Sequence, residues 1–267
     1  MKNLKQLLSL CFAAILVLSS CASRFDTIKK GQDFKVKADE ALKYYENKSY
    51  SEAQQLFEDV MPFVRGTKDA EKYSWLYANC SYNMKEYLSA SYYFKTFASN
   101  FPNSEYTEDA AYMSAVALGK LAPNSKLDQE YTLKAIEAYQ LFTNTYPNSK
   151  KVEECNKAID LSRIVLYQKD FDAAELYYKI ADYRAATHVF KSLLQKYPDA
   201  PDADKARFMI VKSCYYLAQN SVEDKQAERY RETLVAYREF VDKHSDSPLA
   251  KDAEKIFEAS NKRLKSL

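Results

Sequence analysis

Three alanines each stand twelve residues ahead of a proline, Ala90 before Pro102, Ala135 before Pro147 and Ala186 before Pro198, and this spacing constrains the fold more than any other feature. In each case an aromatic follows the alanine by four residues and an apolar residue follows three later: Phe94 and Phe97, Tyr139 and Phe142, Phe190 and Leu193. That is helical spacing with one small residue where a partner helix would cross closely. Proline after an aromatic then stops the helix, at Phe101-Pro102-Asn103-Ser104, Tyr146-Pro147-Asn148-Ser149 and Tyr197-Pro198-Asp199-Ala200, with Asn, Asp or Ser placed to cap the next. His244-Ser245-Asp246-Ser247 is a degenerate fourth mark, and the four lie 45, 51 and 47 residues apart. Ala53, Phe57 and Val60 form a further set without the proline, and Thr233, Tyr237 and Phe240 precede the last mark. One structural unit is therefore used five times.

Composition agrees with an all-helical chain. Only three glycines occur, Gly31, Gly66 and Gly119. Doubly wound sheets and phosphate cradles need glycine-bearing turns after strands, so nucleotide binding is excluded. The expected fold is all-α, a right-handed superhelix of about five helix pairs in which stacked pairs bury faces that no pair can bury alone.

The amino terminus carries a different signal. Leu7 to Leu18 form an apolar run behind Lys2 and Lys5 and end at Leu18-Ser19-Ser20-Cys21. A basic start, a short apolar core and small residues make a secretory signal too short to span a bilayer. Leu-Ser-Ser before Cys21 resembles a lipobox, which would place a lipid on Cys21; an ordinary signal cut near Ala22 is the alternative. Removing residues 1–20 takes away two lysines and no acid, leaving 37 basic and 37 acidic residues. Nothing steers such a chain to nucleic acid. The expected division is a signal over 1–20, a lipidated tether over 21–32 and a helical domain over 33–267. Its repeats fall at about 33–66, 70–104, 105–149, 150–200 and 202–247, followed by a C-terminal helix over 248–267. Periods this long demand extended helices or loops, which residues 120–134 and 219–232 are expected to supply.

Chemistry-bearing clusters are few. Cys80, Cys155 and Cys214 sit inside helical apolar patterns, an odd number that cannot all pair internally. His188 and His244 are the only histidines, and no sequence spacing joins either to a cysteine. No metal site, no cofactor and no catalytic residue are expected. Glu153-Glu154, Asp170-Asp172 and Asp202-Asp204 read as caps or solvated turns. The 23 tyrosines are the sharper feature. In Tyr44-Tyr45, Tyr92-Tyr93 and Tyr177-Tyr178, neighbours point about 100° apart, so one of each pair should reach the surface.

The repeated set resembles the tetratricopeptide repeat, whose period is about 34 residues. The small residues Ala53, Ala90, Ala135 and Ala186 and the closing Pro102, Pro147 and Pro198 carry that resemblance. A two-carboxylate clamp is not expected, since repeat one has Ala38 and Leu42 where that clamp needs lysine and asparagine. A lipobox followed by about five such repeats resembles the BamD family. The order of Asp128-Gln129-Glu130 through Tyr146-Pro147-Asn148-Ser149, then Ala174-Glu175-Leu176-Tyr177-Tyr178, Tyr183-Arg184-Ala185-Ala186 and Tyr197-Pro198-Asp199, is similar to that family's third and fourth repeats. The chain departs from it in lacking glycine before the tyrosine of the helix turns, where Lys48-Ser49-Tyr50, Lys85-Glu86-Tyr87 and Ala181-Asp182-Tyr183 stand.

The resemblance implies a non-enzymatic lipoprotein scaffold on the periplasmic side of the outer membrane, working with other lipoproteins of a barrel-assembly complex. Ala22 and Ser23 follow Cys21 with no aspartate of the inner-membrane retention kind. It implies that C-terminal repeats bind the periplasmic domains of a BamA-like barrel, with Arg231 and Arg238 as candidates, and that N-terminal repeats meet unfolded outer-membrane substrates. Mapped on repeat two, the groove-facing candidates are Lys72, Trp75, Asn79, Tyr82 and Asn83. A tetratricopeptide lipoprotein adaptor for cell-wall synthesis or division is the alternative partner reading.

Overall fold

The computed structural model describes residues 24–267. The signal over 1–20 and the lipid site Cys21 lie outside the described residues. Every regular element among the described residues is a helix.

Two compact units are present. The first holds α1 (24–30), α2 (Phe34–Glu46), α3 (Tyr50–Val64), α4 (Lys68–Asn83), α5 (Tyr87–Asn100), α6 (Thr107–Leu121), α7 (Glu130–Thr145) and the start of α8 (Val152–Lys179) as far as Ile159. The second holds the loop 123–129, the rest of α8, α9 (Tyr183–Lys196), α10 (Ala203–Gln219), α11 (Glu223–His244) and α12 (Ala250–Leu264). Successive helices pack as hairpins, α2 on α3, α4 on α5, α6 on α7 and α10 on α11.

The small residues explain the pairing. Ala53, Ala90, Ala135 and Ala186 are all 0% exposed, and the apolar residues four and seven further on are buried beside them. Helix axes can approach to 8–10 Å only where a short side chain stands at the crossing. Thr233 takes the same place in α11, fully buried, with its hydroxyl turned onto Arg229 O at 3.1 Å. A close approach also explains the one glycine inside a helix of these pairs: a Cβ at Gly119 would lie 2.7 Å from Tyr139 Oη.

The turns between pairs share one device. Ser104 donates its hydroxyl to Glu71, Ser149 to Glu108 at 2.7 Å and Ser247 to Asp204 at 2.6 Å. Each serine oxygen also accepts the backbone N–H two residues on, from Tyr106, Lys151 and Leu249, at 3.1 Å. Each acid lies in the first turn of its pair's first helix. The serine thus ties the end of a repeat back to its beginning. Ala200 cannot do this; there Tyr197 Oη and Lys196 Nζ donate to Asp170, at 2.9 and 2.7 Å.

The turns within pairs solve a different problem. Lys48, Lys85 and Ala181 have φ of 61°, 64° and 62°. Ser49 N–H donates to Tyr44 O and Lys48 N–H to Tyr45 O, with the same two bonds from Glu86 and Lys85 and from Asp182 and Ala181. This is the Schellman closure, whose left-handed residue is usually glycine. The chain keeps the geometry without the glycine, at a local cost of about 1 kcal/mol per site.

One sequence expectation is corrected. The tether expected over 21–32 is helical over 24–30. Phe25 and Ile28, three apart on one face, pack on repeat one, and Phe25 meets the Tyr44 ring edge-on at 5.7 Å. Arg24 reaches Glu40 at 3.0 Å, while Lys29 and Lys37 both donate to Asp59, at 2.9 and 2.7 Å. Polar composition hid these contacts because the apolar stripe is two residues long. The extra length is a loop over 122–129 in one case and mostly the start of the 22-residue α11 in the other, while α8 adds a 28-residue helix of its own.

Candidate functional site

A charged groove lies in the second unit. It comprises two adjoining depressions of about 420 and 460 Å³ that share Thr187, Lys191, Cys214, Glu228 and Glu232. The apolar stripes of α9 and α11 turn toward the core, as Phe190 and Phe240 do, which leaves their polar residues as walls. α9 contributes Arg184, Thr187, His188 and Lys191; α11 contributes Lys225, Glu228, Arg229, Arg231, Glu232, Val235 and Glu239; α10 supplies the floor at Cys214 and Leu217. Lys225 and Glu228 lie 3.6 Å apart, and Arg229 donates to Ser221 Oγ. Cations dominate the end near Arg184 and Lys225, acids the end near Glu239. Such a wall of mixed sign suits a polar protein surface of complementary pattern.

Folding places Cys214 and His188 on the same groove, a juxtaposition with no trace in sequence spacing. It does not make a nucleophile. Burial raises the Cys214 thiol above its ordinary value, outweighing the Thr187 hydroxyl 3.8 Å from its sulfur, so little thiolate forms. Cys80 and Cys155 are likewise buried free thiols, pushed up by burial to about 12 and about 11. Among the described residues, no three His, Cys, Asp or Glu side chains gather to hold a metal ion.

Of the two candidate partner residues, Arg231 lines the groove, and Arg238 is exposed on α11 outside its lining. The repeat-two candidates divide by depth. Trp75 is half-buried: its ring stacks on Tyr106 at 5.3 Å and meets Phe94 and Phe97 at 5.4 and 5.7 Å. Tyr82 meets Tyr87 at 5.5 Å. Asn79 and Asn83 donate to their own helix, to Trp75 O and Asn79 O, each at 2.8 Å. Lys72 and Asn83 are exposed. Repeat two therefore offers aromatic edges and two polar tips, with most of the Trp75 ring taken up in the core. Of the tyrosine pairs, Tyr92 and Tyr177 are exposed, and Tyr44 and Tyr45 are both half-buried.

Two acids expected as turn residues have structural duties, Asp170 with Lys196 and Tyr197, and Asp204 with Ser247. By sequence alone the alternating charges of α11, Glu228, Glu232 and Glu239 among them, suit a polar interface, and Lys191 is expected to face solvent. Helix periodicity alone put them on a solvated face, and only the packing of α9 and α11 about α10 makes that face concave.

Comparison with known proteins follows this geometry. Residues 35–206 and 167–266 match the model of the family YfiO, described as outer membrane lipoprotein. A protein of Aquifex aeolicus (strain VF5), provisionally named outer membrane protein assembly factor BamD, is 24% identical over 237 residues, covering 88% of this chain and 75% of its own. Among solved structures, the TPR2AB domain of yeast Sti1 in its pHSP90 complex covers 85% of this chain and 98% of its own, at 13% identity and a TM-score of 0.39.

Proposed function

Because the chain belongs to the YfiO family of outer membrane lipoproteins, the BamD family, we propose that it is a non-enzymatic scaffold of outer-membrane barrel-protein assembly. The mature chain hangs from a lipid on Cys21, faces the periplasm, and binds the periplasmic domains of a BamA-like barrel through the groove of its second unit. Repeat two meets unfolded outer-membrane substrates around Lys72, Trp75 and Tyr82. No helix among the described residues is long and apolar enough to cross a membrane, which is compatible with lipid anchoring.

The observation that carries this reading is the groove walled by Arg184, Lys191, Arg229 and Arg231 against Glu228, Glu232 and Glu239. A peptide-clasping enzyme would need an activated nucleophile there. A docking surface needs complementary charge, which sets association rate and register.

The test is double charge reversal, Arg229→Glu with Arg231→Glu, in tagged protein purified from membranes in mild detergent. The reading expects loss of a barrel-type partner from the eluate at unchanged helicity and melting temperature. Full retention of that partner, or co-purification of cell-wall enzymes instead, would overturn it.

A further inference from the structure

At the end of repeat one, in the first unit, a half-buried phenylalanine stacks on an exposed one. Phe34 and Phe63 lie 5.3 Å apart with ring planes 7° from parallel, and Phe63 is 62% exposed. A lone apolar tip needs no explanation, whereas two aromatic rings stacked at the surface make a small apolar patch of the kind that marks a contact. Around them in the chain stand Lys30, Lys35, Arg65 and Lys68, all exposed and none in an ion pair with a described residue. Of the nearby acids, Asp33 is turned onto the Lys35 and Val36 amides, and Asp69 is exposed in the first turn of α4.

The chain itself says which partner fits. α1 runs antiparallel to α2, since Arg24 reaches Glu40 and Phe25 reaches Tyr44 while Lys29 reaches Asp59 beside Lys37. Its far end therefore returns to the start of α2, where the aromatic pair lies. At its near end only Ala22 and Ser23 separate Arg24 from Cys21, about 10 Å of chain at most. The seven residues of α1 span about 10 Å. A lipid on Cys21 would thus hold α1 at the bilayer, with the Phe34–Phe63 pair at the other end of the same short helix.

We propose that Phe34 and Phe63, rimmed by Lys30, Lys35, Arg65 and Lys68, form a second membrane contact that seats repeat one on anionic phospholipid beside the anchor. Aromatic rings enter the headgroup region while the cations meet lipid phosphates. The body of the protein is then oriented by two points instead of swinging on one.

This rests on the anchored-lipoprotein reading, and its test removes the anchor. The mature chain carrying Cys21→Ser is mixed with vesicles of phosphatidylethanolamine containing a quarter phosphatidylglycerol, with phosphatidylcholine vesicles as the neutral control. The expected result is binding to the anionic vesicles alone, weakened about tenfold or more by Phe63→Ser with Arg65→Glu. In a second measurement, Phe63→Trp should add fluorescence that shifts to the blue and is quenched by brominated acyl chains. Absence of binding by a chain of native helicity, or binding that the double variant leaves unchanged, would overturn the proposal. Partner co-purification of the same Phe63 and Arg65 variant, with Cys21 restored, should be undiminished; its loss while vesicle binding persists would strike the scaffold reading instead.

Discussion

The two units are built from the same buried residues and differ in what they leave outside. In both, an alanine at the crossing and two apolar residues below it are sealed in, as with Ala90, Phe94 and Phe97 in the first and Ala186, Phe190 and Leu193 in the second. Outside, both units show apolar tips, Phe63, Leu88 and Tyr92 in the first and Leu161, Ile180 and Val222 in the second, but the first adds a stacked phenylalanine pair and the second a groove of arginines, lysines and glutamates. The contrast separates the two kinds of information: buried spacing specifies the repeat, and surface chemistry distributes the tasks among repeats.

The strongest way to break the common part is bulk at the crossing. Ala90→Leu and Ala186→Leu should each destabilise their unit by about 1–3 kcal/mol through overpacking. Lys191→Leu, on an exposed groove wall, should change stability by about 0.5 kcal/mol or less. Equal thermal shifts for Ala186→Leu and Lys191→Leu would show that the crossing residue has been misplaced.

Next in size are the serine ties. Ser149→Ala and Ser247→Ala each remove a hydrogen bond to a carboxylate and a turn acceptor, and should cost about 1–2 kcal/mol in urea unfolding. Ala200→Ser should gain nothing measurable, because Asp170 with Tyr197 and Lys196 already closes that repeat. If the serine variants prove neutral, the ties are incidental to stability.

Smaller, and opposite in sign, is relief at the left-handed turns. Lys85→Gly in the first unit and Ala181→Gly in the second should each stabilise by about 0.5 kcal/mol, the strain released less the added freedom of the unfolded chain. A loss of stability in both would mean that the side chains earn their place by contacts elsewhere.

The smallest effect is confined to the first unit. Burial would raise Asp59, but hydrogen bonds from Lys37 and Lys29 outweigh it and hold the carboxyl below its ordinary value; Lys43, against burial, and then Arg24 hold Glu40 down. Both carboxylates are lowered in the folded state. Their fastening of α1 is therefore complete above the ordinary carboxylate range and is lost as pH falls through the lowered folded values. Hydrogen exchange over 24–30 should accelerate on such acidification, with no matching change in α9. Acceleration already near neutral pH would point to some other fastening.

Much of this fold is legible in the sequence because helix periodicity, proline stops and small crossing residues are local signals. The alanine spacing led directly to Ala53, Ala90, Ala135 and Ala186 in the core. What escaped depends on distance in sequence. The tie from Ser149 to Glu108 spans 41 residues, and that from Ser247 to Asp204 spans 43. The missing glycines were visible, but only backbone geometry reveals that Lys48, Lys85 and Ala181 keep the glycine conformation. The groove was the least legible feature. Arg231 and Glu228 could be picked from the alternating charge of α11, yet with Lys191 they become a groove only when α9 and α11 flank α10.

The most direct test of the division of labour is photo-crosslinking in intact membranes from one position in each unit, Lys72 on α4 and Val235 on the groove wall. The account predicts adducts to a barrel-type partner from position 235 and to unfolded outer-membrane substrate from position 72. Adducts in the reverse order, partner at 72 and substrate at 235, would contradict it.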